Sequence, residues 1–405
     1  MNGTKTEMLL ATGVSIPSVS TCCARNRPWR ISRAFIAALG AAAALAPSLL
    51  APAGLRAQVA SPAAVYDPAS NPIAVFAIGP SGELSDNYWN GSHWVWQTQG
   101  TPVGTTSVAT PSVVYDPASN PITVFVVGDN GSLYDKYWNG SQWVWEAQAH
   151  PRGTKVFGSS AVYQPASFPL YDFVGGANGK LYDLYWDGSE WAWEGQGTPP
   201  GSTVQYVGGA VYDPASTNPL YVFVVGANGH LFVKYLNGTT SGWAWRDQGT
   251  PPGTTAITVP SSFYQSKTED LSAFVTGANG HLFENYWNGS AWAWVDMGTP
   301  PGTFVTGAPS AVYDPSSSSP LMVFAVDNND HLSVAYSSNG TTWSWRDQGI
   351  PSGETGLSAG GGLSALYDPA SSNSILCFAV GASTGNLYAN YWNGTAWEWQ
   401  NQAQP

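Results

Sequence analysis

Apolar residues in this chain fall into short runs with period-two alternation, broken every few residues by glycine, proline or asparagine. The pattern is clearest from Tyr137 to Trp145, which reads Tyr-Trp-Asn-Gly-Ser-Gln-Trp-Val-Trp. An Asn-Gly pair between apolar runs is a strong hairpin signal, because both residues tolerate the positive φ of a type I′ turn. A two-residue loop at Asn139 and Gly140 predicts pairing of Trp138 with Ser141, Lys136 with Trp143 and Tyr134 with Trp145. Alternation then places Tyr134, Trp138, Trp143 and Trp145 on one face, and Leu133, Tyr137 and Val144 on the other. Neither face suits water. The hairpin is therefore expected between two further sheets, since a lone two-stranded ribbon is not stable.

Self-comparison shows the same unit seven times. The second tryptophan of a Trp-x-Trp pair falls at Trp96, Trp145, Trp193, Trp245, Trp294, Trp345 and Trp399, at intervals of 48 to 54 residues. Each copy opens on a Tyr-Asp-Pro-like stretch, continues through an apolar run such as Ile122 to Val127, turns at a Gly-x-Asn-Gly-like segment and enters the hairpin. Four short strands and no helix per unit of about 50 residues predict an all-β fold, a seven-bladed β-propeller with four antiparallel strands per blade. The copies span approximately residues 61–104, 111–153, 160–202, 209–254, 260–303, 309–353 and 363–402. A parallel β-helix has shorter repeats, and separate 50-residue domains would struggle to bury a core. Complete first and last copies predict ring closure by packing, without a shared strand.

The first 57 residues differ from the rest. Arg25, Arg27, Arg30 and Arg33 precede a small-residue apolar run from Ala34 to Ala53. A basic n-region, an apolar h-region and small residues near Ala51, Ala53 and Ala57 read as a secretory signal peptide over residues 1–57. The alternative is a single membrane anchor, against which stand Pro47, Pro52 and the weakly apolar alanines. Residues 58–405 would then be secreted or held at the cell surface, with no membrane contact after cleavage. They hold 8 basic and 25 acidic residues, a formal charge of −17, which disfavours nucleic acid and anionic lipid as partners. Cys377 is the single cysteine after the leader, and its place matches Val124 and Val222 of other copies, so it reads as a small core residue. Nothing in the sequence speaks to oligomeric state.

The copies also sort the aromatics. Both members of the Trp-x-Trp pair occur in all seven, which suits packing between blades. Each buried indole removes about 150–250 Å² from water, worth about 4–6 kcal/mol before entropy is counted. The tryptophan before the turn is different: it is present as Trp89, Trp138, Trp186, Trp287 and Trp392, but Leu236 replaces it in the fourth copy and serine in the sixth. An aromatic that packing does not demand, beside a turn, is a candidate for stacking on a ligand. Pyranose rings offer apolar C–H faces to such indoles, and their hydroxyls seek the Asn, Gln and Asp side chains nearby.

Asn279-Gly-His-Leu-Phe283, then Tyr286-Trp-Asn-Gly-Ser290 and Trp292-Ala-Trp294, resembles the repeat of the PLL-like lectins, seven-bladed propellers named after a Photorhabdus lectin. The resemblance covers all seven copies and implies a multivalent, glycan-binding lectin with sites between blades, commonly for fucose or methylated sugars. The chain is more distantly similar to fungal fucose-specific lectin propellers, which hold fucose with an Arg, a Glu and an aromatic. It departs from them in having only Arg152, Arg246 and Arg346 after the leader.

Other chemistries find less support. A sialidase needs clustered arginines, and a glycosidase needs two carboxylates across one bond. The residue after each second tryptophan varies as Gln97, Glu146, Glu194, Arg246, Val295, Arg346 and Gln400, which reads as a solvated position rather than an active site. His230, His281 and His331 recur in one register, but packed sheets lie about 10 Å apart, too far for a shared zinc. The aspartates of the Tyr-Asp-Pro stretches suit turn capping. The expectation is a non-enzyme with no cofactor and no metal. The other readings are a cell-surface interaction scaffold and a polysaccharide-degrading enzyme.

Overall fold

A computed structural model describes residues 61–404, apart from 69–72, 118–121, 166–169, 218, 239–241, 269, 359–360 and 372–373. The leader expected over residues 1–57 lies outside the described residues. From Ser61 onward the chain forms seven four-stranded antiparallel sheets, each built from four consecutive strands. In blade 1 these are Ala63–Tyr66, Ile73–Ile78, Leu84–Trp89 and Trp94–Gly100; in blade 7 they are Leu363–Tyr367, Ile375–Val380, Leu387–Trp392 and Trp397–Asn401. No helix occurs among the described residues. The first strand of every blade packs against the first strands of its two neighbours, blade 7 against blade 1 included. These strands therefore line the axis and the Trp-x-Trp strands form the outer wall. The ring is a seven-bladed propeller closed by whole sheets, as the sequence predicts.

The seams explain why both faces of each blade are apolar. The second strand of every blade carries a fully buried phenylalanine: Phe76, Phe125, Phe173, Phe223, Phe274, Phe324 and Phe378. The first tryptophan of the next blade's pair meets its ring edge-on, with centroids 5.4–6.0 Å apart and interplanar angles of 72–89°. The second tryptophan turns its indole N–H to a backbone carbonyl of the preceding blade, at 2.5–3.0 Å. The acceptors are Gln99, Gln148, Gln196, Gln248, Met297, Gln348 and, across the closure, Gln402. One indole supplies area and the other pairs a polar group that burial would otherwise strand. Nearer the axis, serine hydroxyls accept backbone N–H groups across five seams, as in Ala64 to Ser364 at 2.9 Å.

The hairpin turn departs from the two-residue loop. Trp138 pairs with Trp143 and Lys136 with Trp145, leaving residues 139–142 as a four-residue loop. Asn139 does not take positive φ; Gly140 does, at 93°. The asparagine side chain closes the turn instead, its Oδ1 accepting the N–H groups of Ser141 and Gln142 and the Ser141 hydroxyl. The pairing is displaced by two residues, an even number, so the expected faces survive: Tyr134, Trp143 and Trp145 pack toward blade 1, and Leu133 toward blade 3. At the far end of the hairpin a bulge puts one residue in the left-handed region, Gly in five blades but Ala149 (φ 57°) and Ala403 (φ 62°) in the others.

Charge is buried at some seams. Asp86 accepts from the Gln99 side chain at 2.8 Å, and Lys136 of blade 2 donates to the Gln99 carbonyl at 3.1 Å while lying 5.0 Å from the Trp145 ring centroid. Asp183, Gln196, Lys234 and Trp245 repeat this arrangement between blades 3 and 4. Burial pushes carboxyls up: Asp86 to about 6, Asp135, Asp183 and Glu284 to about 7, and Asp172 to about 8.

Three outcomes follow for stability. Phe125→Ala should cost about 3–5 kcal/mol in urea unfolding. Ala149→Gly, which relieves a left-handed alanine, should stabilise by about 0.5–1 kcal/mol, the strain released exceeding the entropy glycine adds to the unfolded chain. The buried carboxyls bind protons in the folded state at pH values where the unfolded chain, with carboxyl values near 4, has lost them. Their contribution is thus lost as pH rises through about 6 to 8, so the unfolding midpoint should be higher at pH 5 than at pH 8, and Asp172→Asn should flatten that slope.

Candidate functional site

The third strand of each blade ends at the pre-turn position, beside the Asn-Gly loop. There the side chain leaves the protected seam and meets the rim. Trp89, Trp138, Trp186, Trp287 and Trp392 are all half-buried. Each lies 5.5–6.0 Å from the first tryptophan of its own blade's pair, edge-on in four blades and tilted at Trp287. That inner tryptophan in turn contacts the phenylalanine of the preceding blade. The pre-turn indole is thus the outer member of a Trp–Trp–Phe stack, held by packing on one side and open on the other.

Four of these five tryptophans line clefts between blades. Trp287 and Trp292 of blade 5 face Tyr235, Arg246 and Asp213 of blade 4 around about 450 Å³. Trp392 and Trp397 of blade 7 face Tyr336, Arg346 and Asp314 of blade 6 around about 470 Å³. Trp89 and Trp94 of blade 1 face Tyr391, Gln400 and Asp368 of blade 7 around about 480 Å³. Trp186 and Trp191 of blade 3 face Tyr137, Glu146 and Asp135 of blade 2 around a smaller space of about 140 Å³. Trp138 holds the same register and the same ring contact in blade 2. The three larger volumes fall in the range of small-molecule sites. Blade 4 has Leu236 and blade 6 has Ser337 where the other five blades have tryptophan. The cleft before blade 6, about 290 Å³, is lined by Tyr286, Tyr313, Glu284 and Asn339 instead.

Three positions gain a meaning that the sequence did not show. The tyrosine before the pre-turn residue, constant in all seven blades, lines a cleft in five of them as Tyr137, Tyr235, Tyr286, Tyr336 and Tyr391. The variable residue after the second tryptophan is exposed in six blades, Val295 being half-buried, yet Glu146, Arg246, Arg346 and Gln400 each line a cleft. A strand's own pattern cannot show this, because the other wall belongs to the next blade. Asp213, Asp314 and Asp368 cap their turns by accepting the N–H groups of Ala215, Ser316 and Ala370 at 2.8–2.9 Å, and also line the clefts. Arg246 and Arg346 make no hydrogen bond or ion pair to another described residue, so their guanidinium donors face the cleft free of a carboxylate partner.

The recurring histidines lie at the opposite rim, where second and third strands join. His230, His281 and His331 pair through Nδ1 with Asp247, Asp296 and Asp347 of their own blades at 2.9–3.1 Å. The aspartates also accept the N–H groups of Gly249, Gly298 and Gly349. These pairs brace turns; among the described residues no group of three or more His, Cys, Asp or Glu is placed to hold a metal ion. Cys377 is fully buried between blades 6 and 7, where burial pushes its thiol up.

No family model and no curated protein matches the chain. Solved structures do resemble it. The BP39L lectin from Burkholderia pseudomallei aligns with a TM-score of 0.64 at 20% identity, over 85% of this chain and 98% of that one. A triple mutant of AofleA from Arthrobotrys oligospora aligns with a TM-score of 0.50 at 14% identity, over 86% and 87%. The SapL1 lectin, solved with alpha methyl fucoside, reaches 0.49 at 16% identity, over 74% and 98%. At these identities the likeness to BP39L and AofleA is one of fold alone.

Proposed function

We propose that the chain is an exported, non-catalytic lectin that binds glycans at several clefts around its ring. Trp89, Trp138, Trp186, Trp287 and Trp392 stack on the apolar face of a pyranose, and polar side chains of the preceding blade take its hydroxyls. The observation that carries this reading is the recurrence of one half-buried indole opposite a tyrosine and a polar residue, at four seams of the ring. BP39L, of the same fold, is a lectin. The clefts with Arg246 and Arg346 offer a guanidinium, an aspartate and two indoles, a set suited to a small neutral sugar such as fucose. Each shallow site is weak, but several on one body raise avidity by about 10²–10⁴ when a surface presents many copies of the sugar.

Blade 4 supplies a natural control, since Leu236 stands at the pre-turn position without loss of the blade. Trp287→Leu and Trp392→Leu should therefore fold normally while losing the aromatic face. On a glycan array with residues 58–405, the single variants should weaken binding to an immobilised glycan by about tenfold, and a variant altered at all five positions should not bind. Unchanged binding in the five-site variant refutes the stacking role; silence of the parent across a broad array favours an interaction scaffold instead. Export is checked separately, by the N-terminal sequence of the secreted protein, expected to begin near residue 58.

A further inference from the structure

The clefts share their walls but not their charge, and one of them lacks a cation that its neighbours have. In blades 1, 2 and 3 the third residue of the third strand is an aspartate, directly opposite a polar residue of the outer strand: Asp86 opposite Gln97, Asp135 opposite Glu146, Asp183 opposite Glu194. Like charges directly opposed on one face destabilise a sheet. Between blades 1 and 2 a lysine, Lys136, reaches into the seam, and between blades 3 and 4 Lys234 does the same. Between blades 2 and 3 that register holds Leu184, packed in the apolar cluster. Blade 3 adds a further carboxyl to that seam, the fully buried Asp172, which takes the Ser159 hydroxyl at 2.7 Å. The cleft above is walled by Trp186, Trp191 and Tyr137, is lined by Asp135 and Glu146, and has no basic side chain among its lining residues.

We propose that the cleft between blades 2 and 3 binds the ammonium group of an amino sugar with a free amine, held between Glu146, Asp135 and the Trp186 indole. The assignment rests on the glycan reading above and specifies the sugar class of this one cleft. A cation beside two carboxylates and over an indole face gains ion-pair and cation–π attraction together. It also fills the electrostatic role that lysine plays at the two adjacent seams. Burial and the neighbouring Glu146 charge both push Asp135 up, the state of a carboxyl that a bound cation would restore to its ionised form. The clefts with Arg246 and Arg346, where a guanidinium stands in place of Glu146, should show no such preference.

The test follows each tryptophan separately, by ¹⁵N indole resonances of residues 58–405 during titration with a glucosamine trisaccharide or with cellotriose. The two probes differ in ammonium against hydroxyl at each ring. At the Trp186 indole the amino sugar should bind about tenfold more tightly. This preference should shrink when NaCl is raised from about 50 to about 500 mM, and should vanish in Glu146→Gln. Leu184→Lys, which supplies the missing cation from the protein, should abolish it as well; if that variant does not fold, Glu146→Gln alone decides. Equal affinity for the two probes at Trp186, or a preference that persists in Glu146→Gln, overturns the inference. So does methylammonium binding as tightly as the trisaccharide, which would leave the sugar no part. If cellotriose or a fucoside shifts the Trp287 and Trp392 indoles while Trp186 shows no amine preference, only this inference falls; if no saccharide shifts any indole, the glycan reading falls with it.

Discussion

Each seam of the ring is a latch made of two indoles, one phenylalanine and one carbonyl. The first indole meets the phenylalanine edge-on, and the second spends its single donor on the main chain of the preceding blade. This occurs at all seven seams, with Trp94 on Phe378 and Trp96 on Gln402 completing the circle. Because each blade contributes the phenylalanine to one neighbour and the indoles to the other, no blade can satisfy both its faces alone. Closure is then a requirement of the packing: an open row would leave Phe378 of the last blade and Trp94 and Trp96 of the first uncovered. The serine-to-backbone bonds near the axis set the spacing of the inner strands but could not hold the ring without the aromatic wall.

Much of this was legible because repetition acts on the chain as a set of substitutions. The Trp-x-Trp pair never changes, and it packs half-buried against the apolar clusters between blades; the pre-turn tryptophan changes to Leu236 and Ser337, and it too is half-buried, stacked outside the first member of the pair. The phenylalanine of the second strand is equally constant but sits in a run buried on both sides, such as Ile122 to Val127, where alternation carries no information about which residue meets the indole. The turn was misjudged because Asn-Gly has two uses. Both residues can adopt positive φ, but here the asparagine side chain accepts the N–H groups of Ser141 and Gln142, two and three residues on, in a loop of four residues. The assigned faces survived because a strand's period is two and the error was two.

What could not be read is anything that depends on which blade stands opposite. Arg246, Arg346, Gln400 and Glu146 look like ordinary solvated residues on an edge strand, and by exposure they are. Their importance comes from Trp287, Trp392, Trp89 and Trp186 across the seam, about forty residues further along the chain or, at the closure, at its other end. The same holds for Leu184. Within its strand it is an unremarked apolar residue, and only beside Lys136 and Lys234 at the adjacent seams does it register as an absent charge.

The constant positions hold the ring and also supply the aromatic lining of the clefts, while the variable positions supply their polar lining. The latch tolerates no change, since a defect at one seam exposes two blades. The residue after the second tryptophan varies through glutamine, glutamate, arginine and valine while the latch is kept in every blade. A ring assembled this way keeps one aromatic wall at each cleft while its polar wall is free to differ. Clefts of unlike charge can then stand on one ring, with Glu146 in one and Arg246 or Arg346 in others. On the glycan reading proposed above, avidity would depend less on the number of blades than on how many clefts share the same polar residue and how far apart they stand.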